Sequence, residues 1–221
     1  MDLNYLWPPL LGYLFGSVPF AVIISRLFGL ADPRGFGSGN PGATNVLRGG
    51  NKLAALLTLL GDAAKGWLAM FVTQKVGAGE TAVALAGVAA FLGHVSPFTL
   101  RFKGGKGVAT ALGVLLGFSG ILGVSVAGVW LVVAMVSRYS SLAALIAAVS
   151  APSIAMAYHA SETTTIAVSV LAVVLILRHK SNIRKLLAGT EDRIGAKKKP
   201  PEKKDAPTQA HQDTGDSSGG S

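Results

Sequence analysis

The chain contains no cysteine among its 221 residues, and only 14% of its residues are charged. The lack of cysteine excludes disulfides and thiolate chemistry, and it leaves the redox compartment undetermined. The charged fraction is well below the roughly 25% of an average soluble domain, whereas 50% of the residues are hydrophobic and 28 are glycine. Small residues allow membrane helices to approach closely. The composition therefore predicts an integral membrane protein.

Two common catalytic patterns are missing as well. The glycine-rich run 104–107 contains Lys106, but it is not a Walker A loop, because glycine follows the lysine and Leu100 stands where the first glycine belongs. Nucleotide hydrolysis therefore loses most of its support. His and carboxylate side chains do not cluster in the sequence as a metal site requires, so we expect no metal and no cofactor.

Long apolar segments are abundant, and they predict an all-α integral membrane protein with seven transmembrane helices, some of them short. The apolar run 108–136 is long for one span of about 20 residues and short for two. Small residues at 117–120 offer a break, which would divide the run into two short spans. The other five predicted spans are about 6–30, 53–73, 81–97, 142–158 and 164–177.

The distribution of basic residues favours two spans within 108–136, because cytoplasmic loops carry an excess of Lys and Arg. With a turn at 117–120, the cation-rich loops and the C-terminal tail all lie on one side of the membrane. We therefore expect the N-terminus outside and the C-terminus in the cytoplasm. The predicted cytoplasmic side holds Arg34, Arg48, Lys52, Arg101, Lys103, Lys106, Arg138 and the tail, and the other side holds Asp2, Lys75, Glu80, His159 and Glu162.

The formal net charge is +9, and half of the 20 basic residues lie between Arg178 and Lys204. A basic segment beside a membrane helix indicates which side of the membrane that end of the chain occupies, and it favours contact with anionic lipid. It is a poor indicator of nucleic-acid binding. Residues 195–221 have no periodic apolar pattern, so they are predicted to form a disordered, basic and polar cytoplasmic tail. Residues 1–194 are predicted to form a single transmembrane domain. Its first apolar run lacks the flanks of a signal peptide and is expected to be a retained helix.

The polar run GSGNPGATNVLR at 37–48 separates the first two apolar segments. Its glycines free the backbone to adopt positive φ and to converge N–H groups on an anion. Arg48 adds a guanidinium that matches a phosphate bidentately. The same residue types also form ordinary turns, so a flexible loop between helices is the alternative interpretation. The small polar side chains that could donate to an anion are Ser38, Asn40, Thr44 and Asn45.

A second basic, glycine-rich loop, RFKGGKG, occupies 101–107. Lys103 and Lys106 are candidates for phosphate contacts, although a lysine beside a membrane span also serves as a topology anchor. Anchors do not need backbone freedom, so the interleaved glycines favour a pocket. Both glycine-rich loops are predicted to lie on the cytoplasmic face, where they would close over the ends of short helices.

Charged and imidazole side chains also occur at or within the predicted spans. Asp62 and Lys65 are three residues apart on one helix face, and we interpret them as a structural ion pair. Arg26 could be a third partner or could extend its guanidinium to the membrane interface. His94 lies near the end of the third span, and His179 with Asn182 lies where the last span ends. A lone histidine at a helix end is more often a hydrogen-bonded interfacial residue than a catalyst.

Three ordered motifs resemble those of the PlsY family of bacterial acyl-phosphate:glycerol-3-phosphate acyltransferases, over about residues 5–193. GSVPF at 16–20 with GSGNPGATNVLR at 37–48 is similar to the first motif. GHV at 93–95, Pro97 and FKGGKGVAT at 102–110 are similar to the second. Lys185 stands where the family usually shows arginine, which weakens the case for a bidentate contact there. Residues similar to the third motif are Arg178, His179, Asn182, Ile183, Leu186, Leu187, Gly189 and Glu191.

This resemblance implies a multi-pass enzyme of the bacterial inner membrane with its active site facing the cytoplasm. Acyl phosphate and glycerol 3-phosphate would be its substrates, and 1-acyl-glycerol 3-phosphate (lysophosphatidic acid) and inorganic phosphate its products, without an obligate protein partner. We expect His94, Lys106 and Asn45 to act in catalysis, with Asn45 and Lys106 among the oxyanion donors. The expected substrate-binding residues are Ser38, Gly39, Asn40, Arg48, Lys103, Gly104, Gly105, Ser141, His179 and Asn182.

The sequence offers few candidates for a general base. The His-x4-Asp pair typical of other glycerolipid acyltransferases is absent, and Asp62 is assigned to Lys65. A phosphate monoester has a second pKa near 6, so we hypothesise that the substrate's own phosphate accepts the proton while His94 orients a substrate. The competing class is a small transporter or flippase of a phosphorylated metabolite, because glycine-broken helices near charges also mark transporters.

Overall fold

A computed structural model of the chain describes residues 6–195, in which every regular element is helical. The predicted tail, apart from Gly195, and residues 1–5 lie outside this range. A short 3₁₀ helix, Phe98–Leu100, lies between α5 and α6. The α-helices are α1 (Trp7–Gly16), α2 (Phe20–Leu27), α3 (Ala43–Arg48), α4 (Lys52–Lys75), α5 (Glu80–Val95), α6 (Val108–Phe118), α7 (Gly120–Ser137), α8 (Ser140–Ala157), α9 (Glu162–Arg178) and α10 (Lys180–Leu187).

Five of the described helical segments are long and apolar enough to cross a membrane. A sixth is obtained if α9 and α10, which are bent by 58°, count as one span. Helix α6 has only 11 residues, about 16 Å at the usual rise per residue, which is shorter than the ~30 Å hydrocarbon core. The all-α membrane class is confirmed, and the count of seven spans stays a prediction. The five segments are Trp7–Leu27, Lys52–Lys75, Glu80–Leu100, Gly120–Ser137 and Ser140–Ala157.

The predicted break within the apolar run 108–136 is confirmed. Helix α6 ends at Phe118, Ser119 is extended (φ −160°, ψ 129°), and α7 begins at the next residue. Leu115 before the break and Leu122 after it pack in the same apolar cluster. Helix α7 therefore folds back on α6, and the run forms a hairpin of two helices.

Glycines bring the backbones of neighbouring helices into direct contact. An added Cβ at Gly16 of α1 would collide with the carbonyl oxygen of Ala90 in α5, and one at Gly113 of α6 would collide with that of Ala63 in α4. Small residues permit such close packing where the hydrophobic effect cannot drive helix association. These contacts fix α5 against α1 and α6 against α4, and they set the positions of the loops that follow α5 and precede α6.

The first span is interrupted between α1 and α2, at Pro19. Two polar side chains contact the carbonyls next to this break: Lys65 Nζ donates to the Val18 carbonyl at 2.8 Å, and Thr99 Oγ1 donates to the Ser17 carbonyl at 2.5 Å. Breaks in membrane helices are tolerated when neighbours satisfy the freed backbone groups in this way. The contact also ties the Asp62–Lys65 face of α4 to α1 and α2.

Candidate active site

A cavity of about 470 Å³ opens where both glycine-rich loops, the α7–α8 connection and the chain after α9 meet. The predicted convergence of these loops is thus confirmed. Ser141 and Ala151 both line the cavity, and ten residues correspond to about 15 Å along α8. The cavity therefore runs from polar loops into an apolar groove. The groove is lined by Leu112, Leu115, Val126, Ala147, Ala151, Val168, Leu171 and Leu175.

Asn45 organises the first glycine-rich loop from inside. Its Oδ1 accepts from the Ser38 N–H at 3.0 Å, and its Nδ2 donates to the carbonyls of Pro33 (2.6 Å) and Phe36 (3.1 Å). Gly37 has a φ of +60°, and an added Cβ there would collide with Asn45 Oδ1. Because both amide hydrogens are already donated, the geometry favours a loop-positioning role for Asn45 over the expected oxyanion contact.

The second glycine-rich loop, 103–107, has no regular secondary structure and is held on both sides. The Gly105 N–H donates to the His94 carbonyl at 3.1 Å, and Arg178 Nη2 donates to the carbonyls of Gly104 (3.2 Å) and Gly105 (3.4 Å). Lys106 lines the cavity from this loop. Burial lowers the pKa of Lys106, and the negative charge of Glu191 acts in the opposite direction.

The segment after α10 brings two carboxylates to the polar end of the cavity. Glu191 Oε1 accepts from Ser141 Oγ and from Asn182 Nδ2, each at 2.7 Å. Asp192 Oδ2 lies 3.5 Å from Arg48 Nη1. Three side chains expected to contact phosphate, Ser141, Asn182 and Arg48, therefore face a carboxylate. The third motif included Glu191 without assigning it a role, and nothing in the local sequence indicated Asp192.

His179 lies at the bend between α9 and α10. Its Nδ1 is 2.8 Å from the Leu175 carbonyl, and because a carbonyl only accepts, Nδ1 carries the hydrogen. Burial lowers the pKa of His179 to about 4. The imidazole is therefore neutral near pH 7 in the unliganded protein. A phosphate contact through Nε2 would then need a hydrogen supplied by the phosphate or by a rise of this pKa on binding.

Asp62, Lys65 and His94 form a buried cluster between α4 and α5. Asp62 Oδ1 is 2.9 Å from Lys65 Nζ and 3.4 Å from His94 Nδ1. The three residues are 2%, 4% and 7% exposed. The ion pair was expected from the sequence, whereas the proximity of Asp62 to His94 was not, since it depends on how α4 packs against α5.

The structure separates the expected site residues into two sets. Gly39, Lys103 and Gly104 line a second, open cavity with Asp32 and Arg34, and Gly105 is buried against His94. Geometry therefore gives Lys103, Gly39 and Gly104 no support as contacts within the main cavity. Side chains that line it without having been expected include Asp62, Trp130, Lys185, Glu191 and Asp192. Those that were expected and line it are Ser38, Asn40, Asn45, Arg48, His94, Lys106, Ser141, His179 and Asn182.

A helical membrane protein whose cavity joins cations, hydroxyls and amides to an apolar groove is suited to an amphiphile with an anionic head. A family model described as glycerol-3-phosphate acyltransferase matches residues 6–189. Relatives named glycerol-3-phosphate acyltransferase include one from Dechloromonas aromatica (strain RCB), 57% identical over 85% of this chain and 94% of its own. Another, from Burkholderia mallei (strain ATCC 23344), is 60% identical over 85% of this chain and 94% of its own.

The fold is also similar to that of a solved membrane protein. The crystal structure of PlsY (YgiH), an integral membrane glycerol 3-phosphate acyltransferase in its glycerol 3-phosphate form, superposes with a TM-score of 0.82. That protein is 36% identical, and the match covers 86% of this chain and 96% of the other. The lysophosphatidic acid form gives a TM-score of 0.80 at 35% identity, with coverage of 86% and 94%. The chain belongs to the glycerol-3-phosphate acyltransferase family.

Proposed function

We propose that this protein transfers a fatty acyl group from acyl phosphate to the sn-1 hydroxyl of glycerol 3-phosphate. The products are lysophosphatidic acid and inorganic phosphate, in the first step of bacterial phospholipid synthesis. The observation that carries the proposal is the continuity of the cavity, in which Arg48, Lys106 and Lys185 stand at the mouth of an apolar groove. One substrate has a phosphate and an acyl tail, and the other has a phosphate alone, so a single cavity of this kind suits both.

The family relationship decides between the two classes that the sequence left open. The related PlsY was solved in a glycerol 3-phosphate form and a lysophosphatidic acid form, which correspond to an acceptor and a product of the proposed reaction. A transporter would need its site to open to both sides of the membrane. Here the polar side chains of the cavity come from loops that meet at one end of the bundle.

The proposed reaction forms a bond between the sn-1 oxygen and the acyl carbonyl carbon and breaks the bond from that carbon to the phosphate oxygen. Phosphate is a good leaving group, so the site needs mainly to orient the alcohol and to stabilise the oxyanion. Lys106 and backbone N–H groups of the glycine-rich loops are the proposed oxyanion donors. The hydroxyl proton passes to a substrate phosphate, and His94 orients a substrate.

We further propose that the cavity faces the cytoplasm of a bacterial inner membrane. The loops that build the polar end carry Arg34, Arg48, Arg101 and Arg138, and cytoplasmic loops are enriched in such residues. In this arrangement the chain makes seven passes, with the N-terminus outside. Residues 1–194 form one catalytic domain that needs no obligate protein partner.

The decisive experiment incubates the purified protein, in detergent or in liposomes, with palmitoyl phosphate and radiolabelled glycerol 3-phosphate. We expect lysophosphatidic acid and inorganic phosphate in equal amounts. Parallel reactions with acyl-CoA test the donor, and glycerol tests the need for the acceptor's phosphate. Product formed only from acyl-CoA would overturn the proposed donor. Uptake of unmodified glycerol 3-phosphate into liposomes without product would favour the transporter.

A further inference from the structure

The buried Asp62–Lys65–His94 cluster has more contacts than a structural ion pair requires. Lys65 Nζ has two partners, Asp62 Oδ1 at 2.9 Å and the Val18 carbonyl at 2.8 Å. His94 Nδ1 lies 3.4 Å from the same carboxylate oxygen, without the geometry of a regular hydrogen bond, and neither atom has a hydrogen-bond partner among the described residues. Asp62 and His94 line the cavity, whereas Lys65 does not. The carboxylate is therefore shared between an anchoring cation on one side and an imidazole of the active site on the other.

His94 in turn packs directly against the 103–107 loop. Its carbonyl accepts from the Gly105 N–H at 3.1 Å. An added Cβ at Gly105 would collide with His94 Nε2, and one at Gly104 would collide with the His94 carbonyl oxygen. Lys106 belongs to this loop and lines the cavity. A rotation of the imidazole would thus displace both a cavity side chain and the backbone that presents the lysine.

We propose that Asp62 is a positioning residue, whose carboxylate fixes the ring of His94 and, through it, the 103–107 loop that presents Lys106. Lys65 compensates the charge of the buried Asp62 carboxylate, because a buried carboxylate is strongly destabilising unless it is paired. This inference rests on the proposed acyltransferase function. It assigns Asp62 no contact with either substrate, and it differs from the assignment of Asp62 to a purely structural pair.

The test compares two double variants that both remove the buried ion pair. Asp62→Asn/Lys65→Met keeps an oxygen that can accept from His94 Nδ1, and Asp62→Leu/Lys65→Met keeps the bulk without that oxygen. Replacing a buried ion pair by residues of similar volume is often neutral for stability. Thr73→Val is the matched control on α4, because Thr73 is fully buried and donates only to the Ala69 carbonyl of its own helix.

A misplacement of about 1 Å at a catalytic group can cost roughly 100-fold in rate. We therefore expect kcat to fall about 100-fold in the Leu/Met variant, and to stay at least tenfold higher in the Asn/Met variant. Both should elute as monodisperse protein with thermal midpoints close to that of Thr73→Val, which should retain full kcat. Equal kcat values in the two double variants would overturn the proposal, because a purely structural pair is lost equally in both.

A second measurement tests whether Asp62 acts through His94. In a His94→Ala background the imidazole is gone, so the tenfold difference between the two double variants should disappear. A difference that persists there would mean that Asp62 acts directly or through the fold, and would overturn the proposal. If the Leu/Met variant does not fold, Asp62→Ala/Lys65→Met, which also lacks the oxygen, replaces it in the same comparison with and without His94→Ala. A wild-type protein that forms no lysophosphatidic acid would instead contradict the proposed function.

Discussion

Lys103 and Lys106 lie three residues apart in one glycine-rich loop, yet they line different cavities. Lys106 is partly buried in the main cavity, and Lys103 is exposed beside Asp32 and Arg34 in the second one. The loop between them is held by hydrogen bonds to the His94 carbonyl and from Arg178. The two lysines, which the sequence presented as similar candidates, are therefore a matched pair for mutagenesis.

We expect Lys106→Ala to lower kcat/KM at least 100-fold, and Lys103→Ala to lower it less than about fivefold. Loss of a charged partner from a desolvated site costs several kcal/mol, whereas an exposed cation contributes at most about 1 kcal/mol. The measurement is lysophosphatidic acid formation at varied glycerol 3-phosphate, with folding checked by gel filtration. Near-normal turnover by Lys106→Ala would remove this lysine from the site.

The parts of the fold that the sequence predicted are those that local chemistry determines. Small residues at 117–120 end one helix and begin the next, and the Asp62–Lys65 spacing places both side chains on one face of α4. Gly37 and Gly39 adopt positive φ, as expected for a backbone that converges its N–H groups, whereas Gly42 is extended with a φ of −152°. Residues of the cation-rich loops line one cavity, and the distribution of basic residues placed these loops on one side of the membrane.

Features that depend on packing between distant segments were not predictable in this way. The distance from Asp62 to His94 is set by how α4 packs against α5, and no pattern within either helix encodes it. The direction of the Asn45 side chain depends on which loop carbonyls surround it. Glu191 belongs to the third motif, but charge alone would not predict a carboxylate beside a phosphate site. Its carboxylate nevertheless bonds to Ser141 and Asn182.

The contact between Asp192 and Arg48 predicts competition with the substrate's phosphate. Asp192→Asn removes the carboxylate that faces the guanidinium, so we expect a lower KM for glycerol 3-phosphate. The Asp192 side chain is 43% exposed, and such a pair is typically worth 1 kcal/mol or less, so the change should be about twofold to fivefold. Asp32→Asn, which removes a carboxylate paired with Arg34 outside the main cavity, is the control. An increased KM in Asp192→Asn would show that the carboxylate supports the site.

Topology can be tested directly because the chain has no cysteine of its own. Arg138 and His159 are exposed residues at the two ends of α8. In intact cells, a membrane-impermeant maleimide should label His159→Cys and should label Arg138→Cys only after permeabilisation. The physical reason is the clustering of cations on the Arg138 side. Labelling of Arg138→Cys in intact cells would contradict the proposed cytoplasmic active site.

The apolar groove predicts where acyl-chain length is limited. Ala151 lies within the groove, and Val149 on the same helix is 65% exposed on the outer surface. Ala151→Phe should shift the preference toward shorter acyl phosphates, because each methylene that loses its buried position costs about 0.8 kcal/mol, or roughly fourfold in kcat/KM. Val149→Phe should keep the wild-type profile. Chain-length profiles with C10 to C18 acyl phosphates give the comparison, and an unchanged profile in Ala151→Phe would place the chain elsewhere.

The pH dependence of the rate tests whether a substrate phosphate is the base. His179, with its pKa lowered to about 4 by burial, is neutral on both sides of pH 6 and does not produce a transition there in the free enzyme. If the phosphate of glycerol 3-phosphate accepts the proton, kcat/KM should rise with pH as its second ionisation, near pKa 6, is completed. The phosphonate analogue of the acceptor, whose second pKa is higher, should shift this rise to higher pH by the same difference. His94→Gln should keep the shift and more activity than His94→Ala, because glutamine retains a donor. A profile that stays in place when the acceptor is changed, and that disappears in both His94 variants, would identify His94 as the base.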